Sequence, residues 1–184
     1  SKARYTVNES LASLFSEQHQ TKFEVIMNVP FSSSQKIPRA KENILLYQGA
    51  LNQGRGLECL IKAMVKIDGK LLIAGKGDLQ EELLQMVEDL NLRHKVTFLG
   101  NLLPEELKIQ TLKAKIGINI LESHSLNYYY SLANKFFDYM HAGVPSLNMN
   151  FPEYQNINDN FEIAMLITSL EESQIVSAVH DLLT

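Results

Sequence analysis

Apolar and polar positions follow two alternating patterns along most of this chain. Short, continuously apolar runs predict buried strands at 44–47, 70–74, 96–99, 115–121, 144–148 and 163–167. Between these runs, apolar residues recur at helical spacing and predict helices at 57–67, 78–91, from 104, from 134 and at 171–183. Strands that alternate with helices are typical of the α/β class, so we expect a mainly parallel sheet of about six strands covered on both faces.

The first 40 residues show a different pattern. Leu11, Leu14 and Phe15 have helical spacing, and 23–27 is a short strand candidate. The segment 31–40 follows Pro30, holds three serines and Pro38, and predicts a linker. We therefore divide the chain into residues 1–40 and a main domain at 41–184.

Composition excludes several classes of protein. The 184 residues can form one domain with a proper core, and 45% hydrophobic with 21% charged residues is ordinary for a globular protein. A net charge of −4 argues against a nucleic-acid partner, which would normally require a basic stripe. The single cysteine, Cys59, cannot form an internal disulfide, and the histidines and cysteine show no metal-ligand spacing.

Neither a signal peptide nor an apolar run of about 18 residues is visible, which predicts a cytoplasmic protein without a membrane span. The chain opens with Ser1 instead of methionine, so we expect it to be a piece of a longer protein.

The polar residues of interest lie in loops that follow predicted strands. In an open parallel sheet, ligands bind beyond the carboxyl ends of the strands, where the strand order reverses. The loops at those ends are 49–55, 75–78, 100–103 and 122–135. Their shared position favours a single ligand site.

The loop at 49–56 carries three glycines and Arg55. Glycines permit tight turns and close approach of the backbone, and a guanidinium can fork onto a diphosphate. The spacing is neither a dinucleotide fingerprint nor a P-loop. The alternative, a flexible turn with a solvated arginine, stays open. At 75–77 a structural turn is favoured, although Gly75 can let a ligand come near.

The strongest group is Asn134, Lys135 and Asp138, which fall within one helical turn. An amide, a cation and a carboxylate can converge there, near a helix end whose free N–H groups suit anions. A ligand with a phosphate beside two hydroxyls, such as a ribose offers, would fit. The alternative is an intrahelical Lys–Asp pair that contributes a few tenths of a kcal/mol.

Two weaker candidates lie in the loop before this group. Tyr128, Tyr129 and Tyr130 could form a stacking wall or merely anchor the loop. Glu122 and His124 could form an acid–base pair, a hypothesis that rests on their position alone.

Four groups of residues occur in order along the main domain: 47–49 with 55–58, 72–78, 96–100 and 134–145. Together they resemble the motifs of the group 1 (family 4) glycosyltransferases. The resemblance runs from about Asn43 to the end and implies the carboxyl-terminal Rossmann-like, nucleotide-sugar-binding half of a GT-B enzyme. Residues 1–40 would then be the end of the amino-terminal domain and the linker.

The resemblance also implies roles for individual residues. Arg55 would contact the donor diphosphate, Lys135 would lie near the phosphates, and Asp138 would hold the ribose. Gly49, Gly75, Leu102 and Asn134 would complete the donor site, with Leu102 in the loop that borders the base. Such enzymes generally need no metal, because positive side chains and a helix end stabilise the leaving diphosphate.

The chain departs from the family pattern at four positions. Tyr130 takes the first acidic position, Ala50 replaces an arginine, Asp138 is shorter than the usual glutamate, and Ala133 replaces a proline.

The resemblance implies the donor-binding half of a retaining, hexosyltransferase-type enzyme of polysaccharide synthesis, acting on a glycan or lipid-linked acceptor. The acceptor-binding amino-terminal domain is largely missing, so we expect the isolated chain to be inactive. Docking at the inner membrane face stays open. A nucleotide-sugar epimerase and a noncatalytic binding module remain alternatives.

Overall fold

The computed structural model describes residues 3–30, 37, 40–123 and 126–184. The chain begins with two short parallel strands, β1 (Tyr5–Thr6) and β2 (Glu24–Val25), joined through helix α1 (Glu9–His19). Asn8 caps this helix, since its side chain accepts a hydrogen bond from the backbone N–H of Leu11 at 2.9 Å.

The main sheet has six strands, all parallel to their neighbours. In chain order they are β3 (Ile44–Gln48), β4 (Lys70–Ala74), β5 (Val96–Gly100), β6 (Ile116–Asn119), β7 (Ser146–Met149) and β8 (Ala164–Ile167). Their spatial order is β5-β4-β3-β6-β7-β8. The order reverses between β3 and β6, which places the expected ligand crevice beyond the carboxyl end of β3.

Helices cover both faces of this sheet. They are α2 (Leu57–Ala63), α3 (Gln80–Asp89), α4 (Pro104–Lys113), α5 (Leu126–Tyr129), α6 (Asn134–His141), α7 (Pro152–Asn160) and α8 (Glu172–Leu183). Residues of α2, α3 and α8 share the larger apolar cluster, and residues of α4 and α6 share a smaller one on the opposite face. The predicted three-layer α/β fold is thus confirmed.

The boundaries differ from the predictions where the apolar pattern is ambiguous. The first helix of the main domain ends at Ala63 instead of residue 67. Two strands are shorter than predicted, with β6 at Ile116–Asn119 and β7 beginning at Ser146. The helix predicted at 78–91 is α3, which spans Gln80–Asp89. The helix begins after Leu79, whose backbone N–H donates to the Leu51 carbonyl at 2.9 Å.

Two helices are absent from the sequence prediction. Helix α7 has Pro152 in its first turn but a largely polar sequence, so helical apolar spacing is weak. Helix α5 spans only four residues of the tyrosine-rich loop. Contacts with distant residues stabilise both helices. Glu153 of α7 accepts a hydrogen bond from Ser10, and Tyr129 of α5 packs on Phe151.

Glycines with positive φ end the three strands β3, β4 and β5. They are Gly49 (φ +135), Gly75 (φ +143) and Gly100 (φ +66). A Cβ on Gly75 would lie 1.9 Å from the Gly49 carbonyl oxygen, so the backbones approach as closely as glycine alone allows. Close packing of the two strand ends therefore requires Gly75, which agrees with the structural turn that the sequence favours at 75–77.

The amino-terminal segment is attached to the loop before α6. The Asn8 side-chain amide donates to the Tyr130 carbonyl at 2.6 Å, and the Ser10 N–H donates to the Glu153 carboxylate at 2.9 Å. Assignment of residues 1–40 to a separate domain remains a prediction. Within the described ranges, no helix is long and apolar enough to cross a membrane.

Candidate functional site

Two neighbouring cavities open at the carboxyl edge of the sheet. The first, about 250 Å³, lies between α4 and α6 and is lined by Gln48 and Asp138 among others. The second, about 360 Å³, includes three of the predicted ligand-binding residues, Gly49, Gly75 and Leu102. Leu107 lines both cavities, so the strand-end glycines and the Asp138 carboxylate border adjoining spaces.

Helix α6 is fixed by its apolar face. Tyr139 is fully buried, and its hydroxyl donates to the Leu46 carbonyl at 2.9 Å. Its ring packs on Gly117, where an added Cβ would lie 2.3 Å from ring atoms. The helix ends at His141, and Gly143 follows its C-cap with a φ of +59 that suits glycine. This packing leaves the charged residues of the helix facing the end of β3.

Lys135 lies in the first turn of α6 with its ammonium group buried. Its Nζ has no hydrogen-bond partner among the described residues and lies 4.0 Å from the centroid of the Tyr47 ring. The Tyr47 hydroxyl donates to the Ala50 carbonyl at 2.7 Å, which holds the ring in place. A Cβ on Gly49 would lie 3.4 Å from Nζ, so the amine packs against a glycine that lines the second cavity, although Lys135 itself is not among its lining residues.

Arg55 lies at the end of the loop before α2. Its Cζ is 5.1 Å from the centroid of the Tyr128 ring, and its Nε is buried without a hydrogen bond. Tyr128 also packs on Gly54, where an added Cβ would lie 2.7 Å from Cε2. Arg55 is therefore stacked on a ring and partly exposed, with its Nε buried.

Arg55 lies close enough to Lys135 for its charge to act on the amine. Burial first, and then the charge of Arg55, lower the pKa of Lys135 from 10.5 to about 7. In the described part of the chain, neither residue makes a salt bridge. The intrahelical pair of Lys135 with Asp138 is thus wrong. Because an uncompensated buried charge costs several kcal/mol, this arrangement suits an anionic ligand.

Asp138, one turn further along α6, is held by a neighbouring amide. Gln48 Nε2 donates to Asp138 Oδ2 at 2.8 Å. Burial raises the pKa of the Asp138 carboxyl, while the Gln48 hydrogen bond and the positive charge of His141 lower it in part. The carboxylate is thus held in place without a cation.

Tyr47 and Gln48 are consecutive residues at the end of β3, so their side chains point to opposite faces of the sheet. Lys135 contacts the first and Asp138 the second, which places the cation and the carboxylate on either side of one strand end. Among the described residues, those lining the two cavities include Asp138 but not Arg55. That Arg55 and Asp138 grip one ligand remains a prediction.

The other candidates are placed less informatively. Asn134 is exposed at the start of α6, and Ala133 before it supplies no side-chain cap. Tyr129 packs on Tyr130 and Phe151, with ring centroids 5.0 and 5.4 Å apart. His124 lies outside the described residues, so its pairing with Glu122 stays a prediction.

Three contacting residues were missed by sequence reasoning: Tyr47, Gln48 and Thr111. The available signal was Gln48, a polar residue that ends an otherwise apolar buried strand and is only 5% exposed. A buried amide needs hydrogen-bond partners, and the apolar run at 44–47 offers no polar side chain beside it except the Tyr47 hydroxyl. The sequence therefore indicates that Gln48 contacts polar residues of other elements.

Solved structures resemble this fold closely. Sucrose-phosphate synthase from Thermosynechococcus elongatus matches with a TM-score of 0.75 at 21% identity, over 96% of this chain and 48% of that one. S. aureus TarM, in a complex that includes UDP, matches with a TM-score of 0.74 at 15% identity, over 97% of this chain and 37% of that one. These likenesses show the Rossmann-like fold of a GT-B domain.

Curated relatives match over shorter segments. An uncharacterised glycosyltransferase of Methanocaldococcus jannaschii is 42% identical over 71 residues, 36% of this chain and 18% of that protein. The O-antigen chain mannosyltransferase RfbU of Salmonella typhimurium is 35% identical over 113 residues, 60% of this chain and 32% of that protein. The chain thus matches at most 32% of the length of these two relatives.

The family model of glycosyl transferases group 1 matches residues 30–184. The match begins after β2 and includes the complete six-stranded sheet. It therefore covers every residue of the candidate site. The chain belongs to the group 1 glycosyltransferases.

Proposed function

We propose that this chain is the donor-binding part of a retaining glycosyltransferase that takes a nucleoside diphosphate sugar and serves a glycan or lipid-linked acceptor. One observation carries the proposal: among the described residues, the buried ammonium of Lys135 lies near the partly exposed Arg55, and neither forms a salt bridge with an anion. A diphosphate would supply the missing counter-charge. The name of one relative, an O-antigen chain mannosyltransferase, also supports the transfer of a sugar.

The role of Arg55 and Lys135 would be electrostatic. When the bond between the sugar and the diphosphate breaks, negative charge accumulates on the departing oxygen. Cations that are already fixed at that point stabilise the charge without a further reorganisation. The uncapped start of α6 adds free N–H groups of the same sense.

Asp138 would bind the ribose, because a carboxylate can accept hydrogen bonds from two neighbouring hydroxyls. Gly49 and Gly75 would let the ligand approach the backbone, and Leu102 would border the base in the second cavity. Asn134 would lie beside the phosphates. No cofactor beyond the donor is part of this proposal.

Calorimetric titration of the 184-residue chain with UDP, GDP and ADP tests the proposal. We expect one nucleotide to bind and the variants R55M and K135M each to weaken that binding by tenfold or more. The matched controls R93M and K70M remove exposed cations near the opposite edge of the sheet, so nucleotide binding should stay unchanged in them. Equal affinity in R55M, K135M and the controls would contradict the proposal.

A longer protein that includes the amino-terminal domain separates the alternatives. Sugar transfer to an acceptor supports a glycosyltransferase, and conversion of the sugar nucleotide without an acceptor indicates an epimerase. Nucleotide binding with neither reaction indicates a noncatalytic module, which Tyr130 at the usual acidic position would fit. The isolated chain should transfer nothing, and transfer by it would contradict that expectation.

A further inference from the structure

Gln48 links the carboxylate of α6 to helix α4. Its Nε2 donates to Asp138 Oδ2 at 2.8 Å, and its Oε1 lies 3.1 Å from the Thr111 hydroxyl. Gln48 is 5% exposed and Thr111 3%. The three side chains form a continuous polar path across the wall of the first cavity, which all of them line.

The orientation of this amide is dictated by the carboxylate. An ionised Asp138 can only accept, so the NH₂ of Gln48 must face it and the amide oxygen must face Thr111. The Thr111 hydroxyl has one proton, which it donates either to Gln48 or to the Leu107 carbonyl at 2.9 Å. Asp138 holds the amide nitrogen of Gln48, and Thr111 holds the amide oxygen whenever its hydroxyl donates to Gln48.

Packing alone does not require an amide at this position. The remaining residues of β3 are apolar or aromatic and buried, and a leucine would be spared the desolvation of an amide. Within the described residues, Asp138 Oδ2 receives the Gln48 hydrogen bond, while Oδ1 makes none. The amide thus fixes one carboxylate oxygen and leaves the other for a ligand.

We propose that Gln48 is a positioning residue, which holds Asp138 so that its second oxygen meets the ribose hydroxyls of the bound nucleotide. This inference rests on the proposed function. Aspartate is one methylene shorter than glutamate, so its carboxylate stays closer to the helix. Gln48 compensates by anchoring that shorter side chain from the neighbouring strand, at the edge of the cavity that the ribose would enter.

The charged surroundings of Asp138 make the role measurable. His141 of α6 lowers the pKa of the Asp138 carboxyl, Tyr139 lies beside it on the same helix, and Lys108 of α4 lines the same cavity. The Gln48 hydrogen bond also lowers this pKa, against the effect of burial. Removing the amide would therefore raise it further, and nucleotide affinity would begin to fall at a higher pH on acidification.

The test compares the best-bound of UDP, GDP and ADP with its 2′,3′-dideoxy counterpart, in the wild-type chain and in Q48L. We expect Q48L to weaken the natural nucleotide about tenfold and the dideoxy nucleotide less than twofold. D138A should abolish the preference for the natural nucleotide, and the double variant Q48L/D138A should be no weaker than D138A. T111V, which removes only the far end of the path, should cost about two- to threefold.

A purely structural role would weaken both nucleotides equally, and no role would weaken neither; either result overturns the inference. If Q48L does not fold, Q48E gives the same decision. It places a second carboxylate beside Asp138, so the preference for the natural nucleotide should shrink above neutral pH, and an unchanged preference would overturn the inference. If no nucleotide binds the wild-type chain, the proposed function itself fails, and this inference fails with it.

Discussion

The two sides of the β3 strand end are prepared for a ligand in opposite ways. On one side, Lys135 and Arg55 rest on tyrosine rings and form no salt bridge with any residue that the structure describes. On the other side, Gln48 holds Asp138 by a hydrogen bond. The cationic side therefore stores unfavourable charge that a ligand would relieve, whereas the carboxylate side is already arranged and gains less from occupancy.

The largest expected effect comes from disrupting the close backbone contact between Gly75, after β4, and Gly49, after β3. In G75A the new Cβ would collide with the Gly49 carbonyl oxygen, and we expect a loss of about 3 kcal/mol in the free energy of unfolding. G100A is the control, because its φ is also positive but its Cβ would meet only Lys76 Cε at 3.7 Å. It should cost about 1 kcal/mol. Thermal unfolding followed by circular dichroism measures both, and equal losses would contradict the steric argument.

The second prediction concerns the buried amine. K135M removes a charge that has no partner, so at pH 6 the free energy of unfolding should rise by on the order of 2 kcal/mol while nucleotide affinity falls. Denaturant unfolding and calorimetric titration measure the two effects. K70M, at an exposed position, should change neither by more than about 0.5 kcal/mol. A loss of stability in K135M would indicate a structural lysine.

The third prediction is a pH dependence of binding. The free protein holds Lys135 with a pKa of about 7, and a bound anion would favour the charged form. Binding is therefore strongest below pH 7 and weakens as the pH rises above it, by at most about tenfold per pH unit, because a proton must be taken up.

Calorimetry in two buffers with different ionisation enthalpies measures that proton uptake directly. By pH 7 a nucleoside diphosphate has largely completed its last deprotonation, so its own titration does not hide the effect. K135M should show no proton uptake above pH 7. Uptake that persists in this variant would place the titrating group elsewhere.

The smallest effect concerns the ring that holds Arg55. A cation–π contact of this kind contributes about 0.5–1 kcal/mol, which Arg55 would lose on turning to a phosphate. Y128L should therefore raise nucleotide affinity about two- to fivefold, while Y128F keeps the ring and stays near wild type. A weaker affinity in Y128L would indicate that the ring contacts the ligand.

The sequence predicts the sheet well because parallel, buried strands have unbroken apolar runs. Strand β4 was predicted with its observed bounds, Lys70–Ala74. It also indicates the charged residues of α6, because helical spacing and the following glycine mark that segment. Family resemblance added the roles of Arg55 and Asp138, which the spacing alone left open.

The partners of those residues could not be predicted from local pattern. Gln48 and Asp138 are 90 positions apart, and Arg55 and Tyr128 are 73 apart, so only the fold brings them together. Helix α7 was not predicted for a related reason, since its polar sequence is stabilised by tertiary contacts such as that of Glu153 with Ser10. Long-range pairing, and not local propensity, determines these features.

The hydrogen bond from Asn8 to the Tyr130 carbonyl has a practical consequence for anyone who trims this protein. A fragment that starts at residue 41 would retain the whole six-stranded sheet. It would lose the hydrogen bond that holds the loop of Tyr128 and Tyr130, and this loop carries the ring that stacks on Arg55. Inhibitor screens or ligand soaks on such a fragment would therefore meet a tyrosine loop without this hydrogen bond. Compounds selected there would fit a loop conformation that the longer chain does not offer.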